Sequence, residues 1–362
     1  MNCIFEKEIR LMKKTLKRVL AAVMALAIMV SCFSVAASAA TASTVKHYKT
    51  YVNLGDSIAS GFGLPDDTLV PKTAVPYSYG SEVAYAVQAT YYYAYAQRGF
   101  RTAEIRALLD DSYTGDDLTD SQEMLDATAN YTTSASLAKQ SSGYKKAVKK
   151  ADLITLDVGF NDMWIPLQHF VNQLTGNTIS AVVTFPILTA ETVNAWTLEF
   201  MTNYSAIVEK LVELNPNADI VLVGSYNPCD TWNLMGLPYG KLLGPIYDLM
   251  NTYKQSIASK YDNVTYVDVS DVEVGTQNLD LSAGGFEPHP TKAGHQYMAS
   301  QILSVLPTGT RLSSSRPVLT RTRLDSKGDK WVVLNSVGQV RNYTGYAQND
   351  NGTKYYVRNG VY

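Results

Sequence analysis

Short β-rich runs alternate with longer stretches of helical character along this chain. Tyr51 to Leu54, Leu153 to Val158, Ile220 to Val223 and Val264 to Val267 read as buried strands, and Tyr91 to Ala96 as a fifth. Helical spacing of apolar positions covers Thr102 to Leu109, Glu191 to Leu214, Lys241 to Tyr261 and Thr291 to Leu306. Continuously apolar strands alternating with helices predict an α/β fold with a parallel sheet covered on both faces. In such a sheet, ligands bind at the carboxyl ends of the strands.

The pattern changes at both ends. Residues 1–39 read as a secretory signal peptide: Lys13, Lys14, Lys17 and Arg18 form a basic region, Val19 to Val35 an apolar run, and Ala37-Ser38-Ala39 a small-residue cleavage site. The apolar run of 17 residues is short of the roughly 20 needed to span a bilayer. The expected product is a secreted or cell-surface protein. Residues 308–317, "TGTRLSSSRP", read as a linker. Beyond it, "KWVVLNSVGQV" from Lys330 returns as "KYYVRNGVY" from Lys354, 24 positions later, with a turn signal at "NDNG" between them. Residues 318–362 are thus expected to be a β-hairpin repeat region. They resemble the aromatic- and glycine-rich repeats with which secreted bacterial proteins contact cell walls or glycans.

Composition narrows the function. A net charge of −2 gives no basic footprint for nucleic acid. Removal of residues 1–39 takes Cys3 and Cys32 and leaves Cys229, so no internal disulfide is expected and the core must carry the stability. Tyrosine is abundant, at 25 against 9 Phe and 4 Trp; this favours strands and also suits stacking on sugars. The acidic stretch "DDSYTGDDLTD", 110 to 120, lacks a Glu at the twelfth position of a calcium loop and has Leu118 at a ligand-spaced site. It reads as a solvated loop or lid. With no His/Cys cluster, neither metal nor cofactor is expected.

Candidate chemistry lies at the strand ends. "YVNLGDSIASGFG" puts Ser57 directly after the first strand, where it starts a helix and presents a hydroxyl, with Asp56 tying the loop. "TLDVGFNDMW" ends another strand in Asn161, whose amide can donate to a developing oxyanion, and in Asp162, read as structural. In "YAQRGFRTAEI", Gly99 is read as opening a helix with its N–H available to an anion. The histidines are His47, His169, His289 and His295. His289, between Pro288 and Pro290 just before a helix, is rigidly held as a base should be, whereas His295 within that helix reads as packing or capping. "GDSIA" only approximates the G-x-S-x-G elbow of α/β-hydrolases, and its serine follows the first strand rather than one deep in the sheet.

Taken in order, "GDS", the Gly99 block, "GFND" and "HPTKAGH" resemble the SGNH, or GDSL, hydrolase family over residues 46–307. The resemblance implies a flavodoxin-like three-layer α/β/α sandwich, Ser57 as nucleophile and His289 as general base. It implies an oxyanion hole of the Ser57 and Gly99 N–H groups and the Asn161 side chain; Phe160 fits the variable position of a G-x-N-D block and is compatible with lining the pocket. The family usually carries Asp three residues before the histidine; this chain has Phe286 there. One branch of the family has an aromatic residue at that position and orients the imidazole through its backbone carbonyl, so the Phe286 carbonyl is the favoured partner and Glu287 the rival. The function implied is a secreted esterase acting on lipid acyl or carbohydrate acetyl esters. The alternative is a non-catalytic, glycan-binding surface protein that retains the fold.

Overall fold

The computed structural model describes residues 46–64, 74–113, 134–165, 190–228, 230, 239–276, 287–307 and 310, and in the tail 318–319, 321–324, 331–335, 338–340, 345–349 and 354–357. The expected signal peptide, His169, Cys229, Phe286, most of the acidic stretch and all of the expected linker except Thr310 lie outside these residues.

Five parallel strands form the central sheet: β1 (Thr50–Gly55), β2 (Tyr91–Ala94), β3 (Leu153–Asp157), β4 (Asp219–Val223) and β5 (Val264–Val267). Their order is β2-β1-β3-β4-β5, the doubly wound arrangement in which the chain reverses direction beside β1. β1 and β3 are buried along their whole length, because helices cover both faces. Leu54, Leu156 and Leu222 are fully enclosed, and each such side chain stabilises the fold by about 1.5–3 kcal/mol.

The helices are α1 (Ser57–Ser60), α2 (Tyr79–Ala86), α3 (Thr102–Leu109), α4 (Ser134–Val148), α5 (Ala190–Leu214), α6 (Tyr239–Ala258) and α7 (Lys292–Ser304). α3, α5, α6 and α7 stand where the periodicity predicts helices. α2 and α4 have no counterpart among those predictions. The second strand stops at Ala94, two residues before the predicted end. A short antiparallel pair, β6 (Val274–Thr276) with β7 (Glu287–Pro290), precedes α7.

In the tail, β8 (Val318–Leu319), β9 (Arg321–Leu324), β10 (Trp331–Asn335), β11 (Gly338–Val340), β12 (Gly345–Asn349) and β13 (Lys354–Val357) make two three-stranded sheets. β9 pairs antiparallel with β10, and β12 with β13. The first strands of these two hairpins start 24 residues apart, as do Trp331 of β10 and Tyr355 of β13, matching the period of the sequence repeat.

Candidate active site

The carboxyl ends of β1, β2 and β3 are tied together by backbone hydrogen bonds. Asp56 N–H donates to Asp157 O at 3.1 Å, and Gln97 N–H to Gly55 O at 3.0 Å. Gly55 cannot be another residue without rearrangement, because an added Cβ would lie 2.2 Å from Asp157 O and 2.5 Å from the Ala59 side chain.

The helix that starts at Ser57 is a single turn. Its N-cap is Asp56, whose Oδ1 accepts from Ile58 N–H at 2.9 Å, and Ser57 is its first helical residue. With only four residues, α1 lacks the run of aligned peptides that gives a longer helix its macrodipole. The fixed hydroxyl, rather than a helix field, is what the turn supplies.

His289 reaches that hydroxyl from the far end of the chain. Its Nε2 lies 2.9 Å from Ser57 Oγ, across 232 residues of sequence. Three constraints aim the imidazole. Pairing of β7 with β6 fixes the backbone, Tyr226 Oη donates to Pro288 O at 2.8 Å, and Thr291 caps α7 by accepting from Gly294 N–H at 3.0 Å. The Phe62 ring meets the imidazole edge-on at 4.5 Å, and the Arg98 guanidinium lies 3.8 Å from the centre of the Phe62 ring. Glu287 lies in β7, paired with Thr276.

Asn161 meets the turn that contains Gly99 through its neighbour Phe100. Asn161 is buried and its Nδ2 donates to Phe100 O at 3.0 Å. An amide carries two N–H donors, so this bond fixes the plane in which the second lies. Gly99 does not open the helix, contrary to the reading of "RGFRTAEI". α3 starts at Thr102, and Gly99 sits in a tight turn with φ 73°, closed by Phe100 N–H to Gln97 O at 3.2 Å. The positive φ explains the glycine. Two carboxylates hold the start of α3. Glu104 accepts from Arg101 N–H at 2.7 Å, and Asp162 accepts from Thr102 N–H at 3.0 Å and from the Thr102 hydroxyl. Burial pushes the Asp162 carboxyl up to about 7, against the pull of Thr102 and Arg101.

His295 is buried, and its Nδ1 accepts from Tyr79 N–H at 3.3 Å, at the start of α2. Burial, helped by His289, pulls its pKa down to about 3, so the ring is neutral. This is the packing and capping role its sequence position suggests. Phe160 is buried in an aromatic column, with ring centroids 5.8 Å from Trp164 and 6.5 Å from Tyr247. Among the described residues no group of His, Cys, Asp or Glu has the arrangement of a metal site, and no helix is long and apolar enough to cross a membrane.

Two residues escape the sequence reading altogether: Asp157, at the end of β3, and the fully buried Lys254 of α6. A carboxylate ending the apolar run "LITLDV" is a signal; Lys254 in "TYKQSIASKY" gives none, since lysine on a helix is ordinarily solvated.

A doubly wound sheet with serine, histidine, asparagine and glycine at its carboxyl edge is the arrangement of a hydrolase of the SGNH type. The chain belongs to the GDSL-like Lipase/Acylhydrolase family, whose profile matches residues 54–297. Among solved structures it is similar to an extracellular lipase from Streptomyces rimosus, at 16% identity and TM-score 0.46, covering 72% of this chain and 100% of that one. It is also similar to a phospholipase A1 from Streptomyces albidoflavus, at 18% identity and TM-score 0.46, covering 71% and 98%. A family two carbohydrate esterase from Clostridium thermocellum matches at 17% identity and TM-score 0.36, covering 73% and 65%. These likenesses concern the fold. Comparison with curated proteins finds no match.

Proposed function

We propose that the chain is an exported serine esterase that hydrolyses lipid acyl or carbohydrate acetyl esters through an acyl-enzyme on Ser57. The observation that carries this reading is the 2.9 Å contact between Ser57 Oγ and His289 Nε2. As Oγ attacks the ester carbonyl, its proton passes to Nε2. The tetrahedral oxyanion is received by the Ser57 and Gly99 N–H groups and by Asn161 Nδ2–H. The alcohol leaves with the proton held on His289. Water, deprotonated by the same nitrogen, then attacks the acyl carbonyl and releases the acid and Ser57. Throughout, Nδ1–H must face an acceptor, and the Phe286 carbonyl fills that role in this proposal, with Glu287 as the rival.

A panel of p-nitrophenyl esters from acetate to palmitate tests the reading. Turnover confined to acetate assigns the enzyme to carbohydrate acetyl esters, and turnover of long chains assigns it to lipids. No turnover of any ester favours a non-catalytic glycan-binding protein. Export is tested by the N-terminus of the protein recovered outside the cell, expected just after Ala39. The tail is proposed to contact cell-wall or other glycans. The full chain should then bind insoluble polysaccharide while a chain ending after Thr310 does not.

A further inference from the structure

Three buried titratable side chains that this reaction does not use lie beneath the nucleophile. Gly55 is in register with Asp157, and Leu156 with Leu222, so Gly55, Asp157 and Val223 form one row across the carboxyl edge of the sheet. Lys254 reaches this row from α6. Its Nζ donates to Val223 O and to Ser225 Oγ, both at 2.9 Å, and stands 5.4 Å from the centre of the Tyr204 ring. The carbonyl that anchors the ammonium thus belongs to the strand next to the one that carries Asp157. Lys254 is 0% exposed, Asp56 1% and Asp157 4%. Among the described residues, Oδ2 of Asp56 and Oδ2 of Asp157 have no hydrogen-bond partner.

Burial of ions carries a large desolvation penalty, and apolar replacements of such clusters are often as stable or more so. A buried ammonium is therefore a weak device for stability alone. The placement of Lys254 offers another account, since the Asp157 backbone holds the Asp56 N–H, and Asp56 in turn caps Ile58 beside Ser57. We propose that Lys254 is a positioning residue for Ser57: its ammonium compensates the Asp157 carboxylate on which the nucleophile's turn is built, and the turn holds Ser57 correctly only while that charge is balanced. The proposal rests on Ser57 being the nucleophile.

The groups facing the pair define its working range. Lys254 faces Asp157, Asp56 and Asp162; Asp157 faces Lys254, Asp56, Tyr51, Tyr79 and Tyr204. Burial keeps all three tyrosines neutral. Burial, and then the neighbouring Asp157, push Asp56 well above its usual value, against the pull of the Ile58 N–H and of Lys254. Burial raises Asp157 to about 6 and lowers Lys254 to about 8, each opposed by the other's charge. Both are ionised between those values.

The test uses Lys254→Met, Asp157→Asn and the double variant in the full chain. Two quantities are read from pH 5 to pH 9: the melting temperature, and the rate of Ser57 labelling by a fluorophosphonate, each compared with wild type at the same pH. Without Lys254, the lone Asp157 is tolerated only when protonated, so both quantities should fall against wild type as pH rises. Without Asp157, the lone Lys254 is tolerated only when neutral, so both should recover as pH rises. Each limb should span about tenfold in relative labelling rate per pH unit. Between about pH 6 and 8 the double variant should be flat against wild type, and it should melt no lower than wild type at pH 7. If Lys254→Met does not fold, as a lone buried carboxylate allows, the other two variants decide. Melting signatures without the labelling signatures overturn the positioning role and leave a purely structural pair. Absence of opposite melting signatures, or a double variant as unstable as Lys254→Met, overturns the pair itself. No labelling of wild type rejects Ser57 as nucleophile and the positioning role with it, while the melting data still decide the ion pair.

Discussion

Asn161 donates through Nδ2 to the carbonyl oxygen of Phe100 at 3.0 Å, so the side chain after β3 is tied to the residue that follows Gly99. Two of the three proposed oxyanion donors are therefore positioned together. Asn161→Ala should lower kcat by about 10² to 10³ with little change in KM, because the donor acts chiefly on the transition state. Steady-state kinetics on a small soluble ester check this. A pure KM effect would assign Asn161 to ground-state binding instead.

Gly55 packs its Cα against Asp157 O and the Ala59 side chain with no room for a methyl group. Gly55→Ala should push β1 away from β3 at the row that carries the nucleophile. We expect a loss of about 1–3 kcal/mol in urea unfolding, the usual cost of overpacking, and a larger proportional loss of esterase activity in the remaining folded protein. Unaltered stability and activity would show that the two strand ends separate freely.

His295 makes stability fall on the acid side. Its folded-state pKa of about 3 lies below the ordinary histidine value of 6.5, so folding excludes the proton. The contribution is fully present above about pH 6.5. It is lost as pH falls towards 3, at roughly 1.4 kcal/mol per pH unit. Asp162, raised to about 7, acts in the opposite sense and gains stability as pH falls below that value. Comparing wild type with His295→Gln isolates the histidine. The urea midpoint of wild type should drop more steeply between pH 6.5 and 4 than that of the variant.

The fold was legible where a local pattern reports burial on both faces. Leu153 to Val158 and Ile220 to Val223 are apolar enough to need cover from two layers, and both are enclosed strands. α4 escaped because "SASLAKQSSGYKKAV" has a weak apolar stripe and an internal Gly143. α2 is only eight residues long and contains both Gly80 and Ser81. At the site, Ser57, His289 and Asn161 were visible as short motifs at strand ends, and the structure brings the first two into contact. Gly99 precedes the helix that starts at Thr102 without opening it, and in sequence a glycine before a helical pattern looks the same whether it caps or turns. Lys254 was invisible because its burial depends on β4 and α5, far away in sequence.

Glu287 tests the orientation of His289. With the Phe286 carbonyl as acceptor for Nδ1–H, Glu287→Gln should lower kcat less than about tenfold, under roughly 1.4 kcal/mol. A fall of about 10³ or more with the fold intact would make Glu287 the acid of a triad.

The contact between Ser57 and His289 is the central claim, and a fluorophosphonate probe reads it directly. Peptide mapping after exposure of the full chain should find one adduct, on Ser57, and none once the protein is denatured beforehand. Ser57→Ala should give no adduct, and His289→Ala should label slower by at least about 10³. An unlabelled wild type, an adduct on another serine, or His289→Ala labelling at the wild-type rate would contradict the account.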